Sequence, residues 1–320
     1  MDLAEYDSNR QTADTKSGPV GYIDVGSGRP ALFVHGVGTS GLLWRNVVGA
    51  LHGERRCLAL DLLLHGRTPA RPGQDLSLAG FAKVVEDFCA ALDLTGVDLV
   101  ANDTGGAVAQ IVAAHQVQRL ATVTLTNCET PGNVPPLAFK PTVWLARAGL
   151  LAPLLGPRLL RNLPKARKRV YGLGYQDIGK LPLGVVRSYL EPLIGTKELA
   201  KQGQRWIASL HNRDLAAVAP ALRRLTVPTL IVWGTGDITF RPRYAHWLRD
   251  AIPGAAKVVT IDGGRLFFPR LARRRPGTPT CALTGPRTTS RPAAPLPAGN
   301  HPGMVSTQEA LPTVRPKHSG

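Results

Sequence analysis

The 320-residue sequence predicts an α/β protein with a doubly wound, mostly parallel sheet. Short runs rich in β-branched and apolar residues alternate with stretches of helical periodicity, which is typical of parallel strands covered by helices on both faces. Ligand sites of such folds form at the carboxyl ends of the strands. The predicted strands are 20–26, 31–36, 56–62, 97–103, 121–128, 227–234 and 257–263, and the predicted helices lie near 41–52, 79–92, 105–117 and 243–252.

One long segment interrupts the alternation of strands and helices. Residues 131–226 contain no convincing strand and are rich in Leu, Pro and Arg, with helical spacing in 183-LGVVRSYLEPLIG-195. This pattern predicts a helical lid inserted over the strand ends. The core of the fold is then expected in two parts, residues 19–130 and 227–268.

The two ends of the chain differ in composition from the core. Residues 1–18 are polar and lack the basic-then-apolar pattern of a signal peptide, so a flexible N-terminus is predicted. Residues 269–320 contain ten prolines and almost no hydrophobic periodicity. Because such a segment buries too little apolar surface to offset its ordering entropy, a disordered Pro/Arg-rich tail is predicted.

The net charge of +17 is concentrated in two segments. Residues 140–175 hold eight Lys or Arg and no acid, and residues 269–320 hold eight with one acid, Glu309. The run 165-KARKR-169 is typical of a solvated helix face. Because no base-stacking aromatic residues are interleaved with it, we expect no nucleic-acid partner, although salt-dependent binding would favour one.

The sequence predicts no membrane partner, cofactor or metal. No apolar run approaches the roughly 18 residues that span a bilayer, and a cytoplasmic protein is expected. No Gly-x-Gly-x-x-Gly, Walker loop or metal-ligand cluster is present. The sequence leaves the oligomeric state open. The cysteines show no CxxC or CxH spacing and are expected to be buried thiols: Cys57, Cys89, Cys128 and Cys281.

The stretch 98-DLVANDTGGAVAQ-110 predicts a sharp turn from a buried strand into a helix. Asp103 occupies the apex, with the small residues Ala101 and Gly105 two positions before and after it. Such an elbow exposes the apex side chain at the strand end, and the helix N-terminus favours a negative charge there. The alternative is an Asp that only caps the following helix.

Two further loops follow predicted strands. In 35-HGVGTSGLLW-44, the residue after His-Gly is Val37, whose backbone N–H can point to the same site as that of Thr104. In 228-PTLIVWGTGDITFRP-242, Asp237 follows the strand, where it could orient a histidine or be an ordinary loop residue. His35 and His65 are interpreted as residues that brace loops.

In this order, the motifs resemble the α/β-hydrolase fold, specifically its aspartate-nucleophile branch of haloalkane dehalogenases and soluble epoxide hydrolases. The resemblance covers roughly residues 20–268. It implies a hydrolase that acts on a small, mostly apolar epoxide, haloalkane or ester. Asp103 would be the nucleophile, Val37 and Thr104 would supply oxyanion-hole N–H groups, and Asp237 would be the catalytic acid.

The chain departs from this family pattern at several positions. Thr104 stands where a Trp is usual, and Val37 stands where dehalogenases commonly have Asn. Epoxide hydrolases use two lid tyrosines; the candidates here are Tyr171, Tyr175 and Tyr189. Glu129, just past a predicted strand, is interpreted as a turn carboxylate or a substitute acid.

The largest departure is the absent catalytic histidine. Arg265 or Leu266 stands where the family has it, and no histidine lies between His246 and His301. Arg cannot act as a base near neutral pH. The covalent step is expected to proceed and ester hydrolysis to stall, unless another group activates water. The alternative is a non-catalytic hydrolase fold that serves as a ligand-binding or interaction protein.

Overall fold

The computed structural model describes residues 1–268, in which an eight-stranded sheet has the order β1-β2-β4-β3-β5-β6-β7-β8. Strand β2 pairs antiparallel with β1 and β4, and all other neighbouring strands are parallel. The strands are β1 (Arg10–Thr15), β2 (Gly18–Val25), β3 (Pro30–Val34), β4 (Arg56–Leu60), β5 (Val97–Asp103), β6 (Leu120–Cys128), β7 (Thr229–Gly234) and β8 (Ala255–Ile261).

Helices pack on the sheet as the doubly wound pattern predicts. The predicted mostly parallel α/β fold is confirmed; the predicted strand 97–103 coincides with β5, and the other predicted strands differ from the observed ones by one or two residues at one or both ends. The helices are α1 (Leu3–Ser8), α2 (Arg45–Leu51), α3 (Leu78–Ala91), α4 (Thr104–His115), α5 (Lys140–Arg147), α6 (Leu151–Leu155), α7 (Leu163–Tyr171), α8 (Leu183–Ile194), α9 (Lys197–Ser209), α10 (Asn212–Leu222) and α11 (Pro242–Ala251).

Strand β5 and helix α4 form the centre of the core. Every residue of β5 is buried, because β3 and β6 flank it and helices cover both faces. Helix α4 lies close to the sheet: a β-carbon at Gly106 would come within 2.3 Å of the Cys128 β-carbon on β6. The glycine therefore allows the first turn of α4 to approach the strand ends.

The N-terminal residues require a correction to the predicted flexible segment 1–18. The Asp2 side chain caps α1, Tyr6 is fully buried, and β1 pairs with β2 along its length. The Arg10 guanidinium lies 3.2 Å from the buried Asp61 carboxylate. The hairpin pairing and the Arg10–Asp61 contact order this segment although its residues are mostly polar, so its composition gives no sign of the order.

The segment between β6 and β7 contains helices and no strand, as the sequence predicts. Helices α5, α6 and α8 pack on α9, whereas α10 packs against α4 of the core. The limits 131–226 for a lid remain a prediction. The basic run on α7 is largely solvated, since Lys165, Lys168 and Arg169 are all exposed.

The predicted buried thiols lie mostly in the described part of the chain, and the predicted tail lies beyond it. Cys57, Cys89 and Cys128 are buried free thiols, and Cys281 lies outside the described part. The predicted disordered tail, 269–320, also lies outside it. No single helix in residues 1–268 could cross a membrane by length and composition; only a pair of segments bent by 109°, Leu137–Arg147 with Leu151–Arg161, passes both criteria together.

Candidate active site

The turn between β5 and α4 is a sharp elbow with Asp103 at its apex. Asp103 has φ 56° and ψ −138°, in the left-handed half of conformational space that side chains rarely adopt. Two glycines make the turn possible. A β-carbon at Gly105 would lie 2.2 Å from the His35 carbonyl oxygen, and one at Gly36 would lie 2.3 Å from the Asp103 β-carbon.

The Asp103 side chain is 3% exposed and lies at the carboxyl end of β5. Its carboxyl group accepts hydrogen bonds from the backbone N–H groups of Val37 and Thr104. Its Oδ2 atom is buried and has no hydrogen-bond partner among the described residues. The structure therefore brings together three of the four predicted site residues and leaves one carboxyl oxygen available.

A cavity of about 230 Å³ opens beside Asp103, between the strand ends and the helices that follow β6. Most of its wall is apolar. Its only titratable side chains among the described residues are Asp103, Glu129 and Tyr171. Further wall residues are Phe139, Leu151, Leu155, Leu190, Trp206 and Ile207. Such a wall suits a small, mostly apolar molecule with its reactive end near the two carboxyl groups.

Glu129, interpreted from the sequence as a turn carboxylate or a substitute acid, lies on the cavity wall. It directly follows β6, whose last residue, Cys128, is paired with Asp103 of β5. The Thr104 hydroxyl donates to Glu129 Oε1 at 3.0 Å, and Glu129 Oε2 is buried with no partner among the described residues. Burial raises the Glu129 pKa to about 7. The signal in the sequence was its position at the end of the neighbouring parallel strand.

The two cavity carboxyl groups affect each other's ionisation. Burial, followed by the charges of Glu129 and Asp237, raises the pKa of Asp103 well above its ordinary value, although the two backbone N–H groups act in the opposite direction. Ionisation of Asp103 is therefore less favourable in this site than in a solvated carboxyl group. Two buried carboxyl groups that repel each other share one proton over a wide pH range.

Asp237 lies after β7, as predicted, but its carboxyl oxygens are already bonded. Asn127 Nδ2 donates to Asp237 Oδ2 at 2.6 Å, and the backbone N–H groups of Thr239 and Phe240 donate to Oδ1 at 2.7 and 3.1 Å. Burial raises the pKa of Asp237 above its ordinary value. Asp237 does not line the cavity, although Thr239 and Phe240 do.

The position of the expected histidine is apolar. Leu266 and Phe267 line the cavity there, and Asn102 Nδ2 on β5 donates to the Leu266 carbonyl oxygen at 3.0 Å. Arg265 donates at 3.4 Å to the Tyr175 carbonyl oxygen and is not a wall residue. Thus no histidine of residues 1–268 lines this cavity.

The buried histidines near the elbow are held by loop backbone. His35 Nε2 accepts from the Leu62 N–H at 2.9 Å, and His65 Nε2 accepts from the Gly38 N–H at 3.2 Å. Burial lowers the pKa of His35 to about 4 and that of His65 well below its ordinary value. Both act as loop braces, and His246 lies exposed on α11.

The three candidate tyrosines cluster, but only Tyr171 reaches the cavity wall. Its ring lies 6.3 Å from that of Tyr175 and 5.9 Å from that of Tyr189. The Tyr171 hydroxyl donates to the Gly38 carbonyl oxygen in the loop after β3. The cluster therefore does not direct two free hydroxyl groups at one substrate atom.

No metal site is apparent in the described residues. Among residues 1–268, no group of three or more His, Cys, Asp or Glu side chains is arranged to hold an ion. The cavity wall carries no Lys, Arg or His that could pair with a phosphate-bearing cofactor. The residues that remain for chemistry are the two carboxyl groups and the N–H donors of the elbow.

Comparison with known proteins assigns the family. A family model described as alpha/beta hydrolase fold matches residues 30–269, and the chain therefore belongs to this family. Haloalkane dehalogenase 2 of Mycobacterium tuberculosis is 26% identical over 242 residues, which cover 72% of this chain and 79% of the relative. The predicted resemblance to the dehalogenase-like branch is thereby confirmed.

Solved structures agree at the level of the fold. Haloalkane dehalogenase DbeA from Bradyrhizobium elkani has a TM-score of 0.69 and 20% identity, over 81% of this chain and 91% of that one. The epoxide hydrolase CorEH has a TM-score of 0.66 and 19% identity, over 82% and 93% of the two chains.

Proposed function

We propose that this protein is a hydrolase that forms a covalent ester between Asp103 and a small, mostly apolar electrophile. One observation carries the proposal: the carboxyl group of Asp103 stands at a strained elbow, two backbone N–H groups donate to it, its Oδ2 atom has no partner in the described chain, and the residue lines an apolar cavity. Strain of this kind persists where the surrounding structure enforces it, and it clusters at functional sites.

The first step follows from this geometry. An epoxide, haloalkane or ester would enter with its electrophilic carbon towards Asp103 Oδ2, beneath the helices we propose as a lid. The N–H groups of Val37 and Thr104 orient the carboxylate, and they would stabilise the oxyanion when water later attacks the ester. Asp237 is proposed as the acid of the site, although no histidine of residues 1–268 is placed for it to orient.

Mass spectrometry of the protein after incubation with styrene oxide or (2-bromoethyl)benzene tests the proposal. We expect an adduct on the peptide that contains Asp103, and we expect no adduct in Asp103→Asn, which keeps the shape but is not a nucleophile. Asp250→Asn, an exposed carboxylate on α11, is the matched control and should behave as wild type. The proposal fails if turnover of either compound persists in Asp103→Asn.

A non-catalytic, ligand-binding hydrolase fold is the second candidate. It is favoured by the lack of a histidine at the cavity within the described residues. The same experiment separates the two functions. A ligand-binding protein would retain the compounds reversibly, with affinity similar in wild type and Asp103→Asn and with no covalent mass added to either.

A further inference from the structure

Two residues that line the same cavity each have a buried carboxyl oxygen without a partner in the described chain. Asp103 Oδ2 and Glu129 Oε2 both lack a hydrogen-bond partner in the described chain, and both residues line the cavity. They belong to the ends of adjacent parallel strands, β5 and β6. An unpaired buried acceptor is unfavourable, so this arrangement indicates a site that a proton, water or substrate completes.

Thr104 holds Glu129 in place. Its side-chain hydroxyl donates to Glu129 Oε1, while its backbone N–H donates to Asp103. Gln110 Nε2 on α4 also donates to the Glu129 carbonyl oxygen at 2.8 Å, which fixes the backbone at that position. Thr104, the residue after Asp103, therefore donates hydrogen bonds to both carboxyl groups. Oε2 of Glu129 accepts no hydrogen bond from the described residues.

We propose that Glu129 donates a proton to an epoxide oxygen and then acts as the base that activates water, so that the substrate class of this site is an epoxide. The inference rests on the proposed covalent role of Asp103. It assigns to one carboxyl group the two proton transfers for which no histidine of residues 1–268 is available.

The first half-reaction starts from the form of the pair in which Asp103, held by the N–H groups of Val37 and Thr104, is ionised and Glu129 carries the shared proton. The Asp103 carboxylate bonds to a ring carbon of the epoxide, and the bond between that carbon and the ring oxygen breaks. The ring oxygen takes the proton of Glu129. The products are a hydroxyalkyl ester on Asp103 and an ionised Glu129.

The second half-reaction restores both groups. Glu129 removes a proton from water, and the water oxygen bonds to the Asp103 ester carbon, placing the oxyanion at the N–H groups of Val37 and Thr104. Collapse breaks the bond to the alcohol oxygen, which takes the remaining proton of the added hydroxyl. One water is consumed, a vicinal diol leaves, and Asp103 is again a carboxylate beside a protonated Glu129.

An epoxide fits this site better than a haloalkane because of what each leaving group needs. An opening epoxide produces an alkoxide that requires a proton, whereas a departing halide requires none. The shared proton of the carboxyl pair has no use in halide displacement, and the negative charge of the pair disfavours a halide ion nearby. The Thr104 hydroxyl donates its hydrogen bond to Glu129, so it is not available to bind a halide ion.

The test compares styrene oxide with (2-bromoethyl)benzene, which share a carbon skeleton and differ in the leaving group. Rapid-quench mass spectrometry measures ester formation and ester hydrolysis in the full-length wild type and in Glu129→Gln. We expect Glu129→Gln to slow ester formation from the epoxide by roughly 10²-fold or more, and from the bromide by less than about tenfold. The ester should persist in this variant with both compounds.

Three further variants control the result. Glu191→Gln, an exposed carboxylate on α8, should behave as wild type. Glu129→Asp should restore part of the epoxide rate. The double variant His301→Ala/His318→Ala removes the histidines that lie outside the described residues, and we expect ester hydrolysis to be unchanged.

Each contrary result overturns a definite part of the inference. Wild-type hydrolysis rates in Glu129→Gln, with the Asp103 adduct still formed, exclude Glu129 and leave the covalent function intact. Loss of hydrolysis in the double-histidine variant assigns the base to the tail. A bromide that reacts faster than the epoxide in wild type excludes the epoxide class. Absence of any adduct in wild type removes the proposed function together with this inference.

Discussion

At the scale of single residues, Thr104 connects Asp103 to the second carboxyl group of the cavity: its N–H donates to Asp103 and its hydroxyl to Glu129. A tryptophan, usual at this position in the family that the chain resembles, has no hydroxyl and could not make the 3.0 Å bond to Glu129. Threonine in place of tryptophan removes an indole N–H from the substrate side and provides a hydroxyl donor to the buried Glu129 carboxyl group. Under the role proposed for Glu129, the departures from the family pattern at residue 104 and at the position of the histidine belong together.

Replacing Thr104 by Val should move the pH dependence of ester hydrolysis. The lost hydroxyl favours the ionised form of Glu129, so its pKa should rise by roughly one unit in Thr104→Val. Because the base must be ionised, hydrolysis of the trapped ester would then require a higher pH. Thr104→Ser keeps the hydroxyl and should follow the wild-type curve; coincident curves for all three proteins would exclude this role.

At the scale of elements, the approach of α4 to β3 and β5 sets the elbow. Helix α4 begins directly at the residue after Asp103, and the backbone of residues 34–35 lies against its first turn. This close contact brings the loop after β3 near the helix N-terminus, so that Val37 and Thr104 donate to one carboxyl group. The site therefore depends on glycine at the contact between the two elements.

Gly105→Ala should destabilise the protein and misplace the elbow. Its β-carbon would lie 2.2 and 2.6 Å from the carbonyl oxygens of His35 and Val34, so the helix or the loop must move, at a cost of roughly 1–3 kcal/mol or more. Gly184→Ala on α8 is the matched control, since no atom lies within 4 Å of its β-carbon position. Denaturant unfolding should show a lower free energy of unfolding for Gly105→Ala and a slightly higher one for Gly184→Ala. Equal free energies for the two variants would contradict the close approach of Gly105 to residues 34–35.

At the scale of the whole molecule, the site is held at the expense of stability. Asp103, Glu129 and Asp237 are all buried at the carboxyl ends of the central strands, and burial raises the pKa of each. An acid whose pKa is higher in the folded state than in the unfolded state binds more protons when folded. Folding is therefore favoured at low pH and weakened as the pH rises through the folded-state pKa.

The free energy of unfolding should fall between about pH 4.5 and pH 7, and Glu129→Gln should reduce this fall. A shift of the Glu129 pKa from 4.5 to about 7 corresponds to roughly 3 kcal/mol. Urea unfolding at pH 5 and pH 8 should show Glu129→Gln more stable than wild type mainly at pH 8, with Glu191→Gln unchanged at both. An equal difference at the two pH values would show that Glu129 is not buried in this way.

The sequence by itself determined seven of the eight strands, the elbow and the loops beside it. Apolar strands that alternate with stretches of helical periodicity are compatible with few folds other than a parallel α/β sheet. The small residues around Asp103 indicate a tight turn. Val37, Thr104 and Asp103 could be found because each is fixed by its position relative to a strand end. The N-terminal strand could not, because its polar residues are ordered by pairing with β2 and by the Arg10–Asp61 contact.

Only the tertiary structure decided which carboxyl groups share the cavity and how they ionise. Glu129 and Asp103 are 26 positions apart in the chain, and parallel pairing of β5 with β6 brings them to the same edge of the sheet. Desolvation and repulsion between charges depend on the packed surroundings in three dimensions, which no local pattern of residues records. The Asp237 carboxyl group is likewise bonded to Asn127 of β6 and to the backbone of its own loop, and Asp237 does not line the cavity.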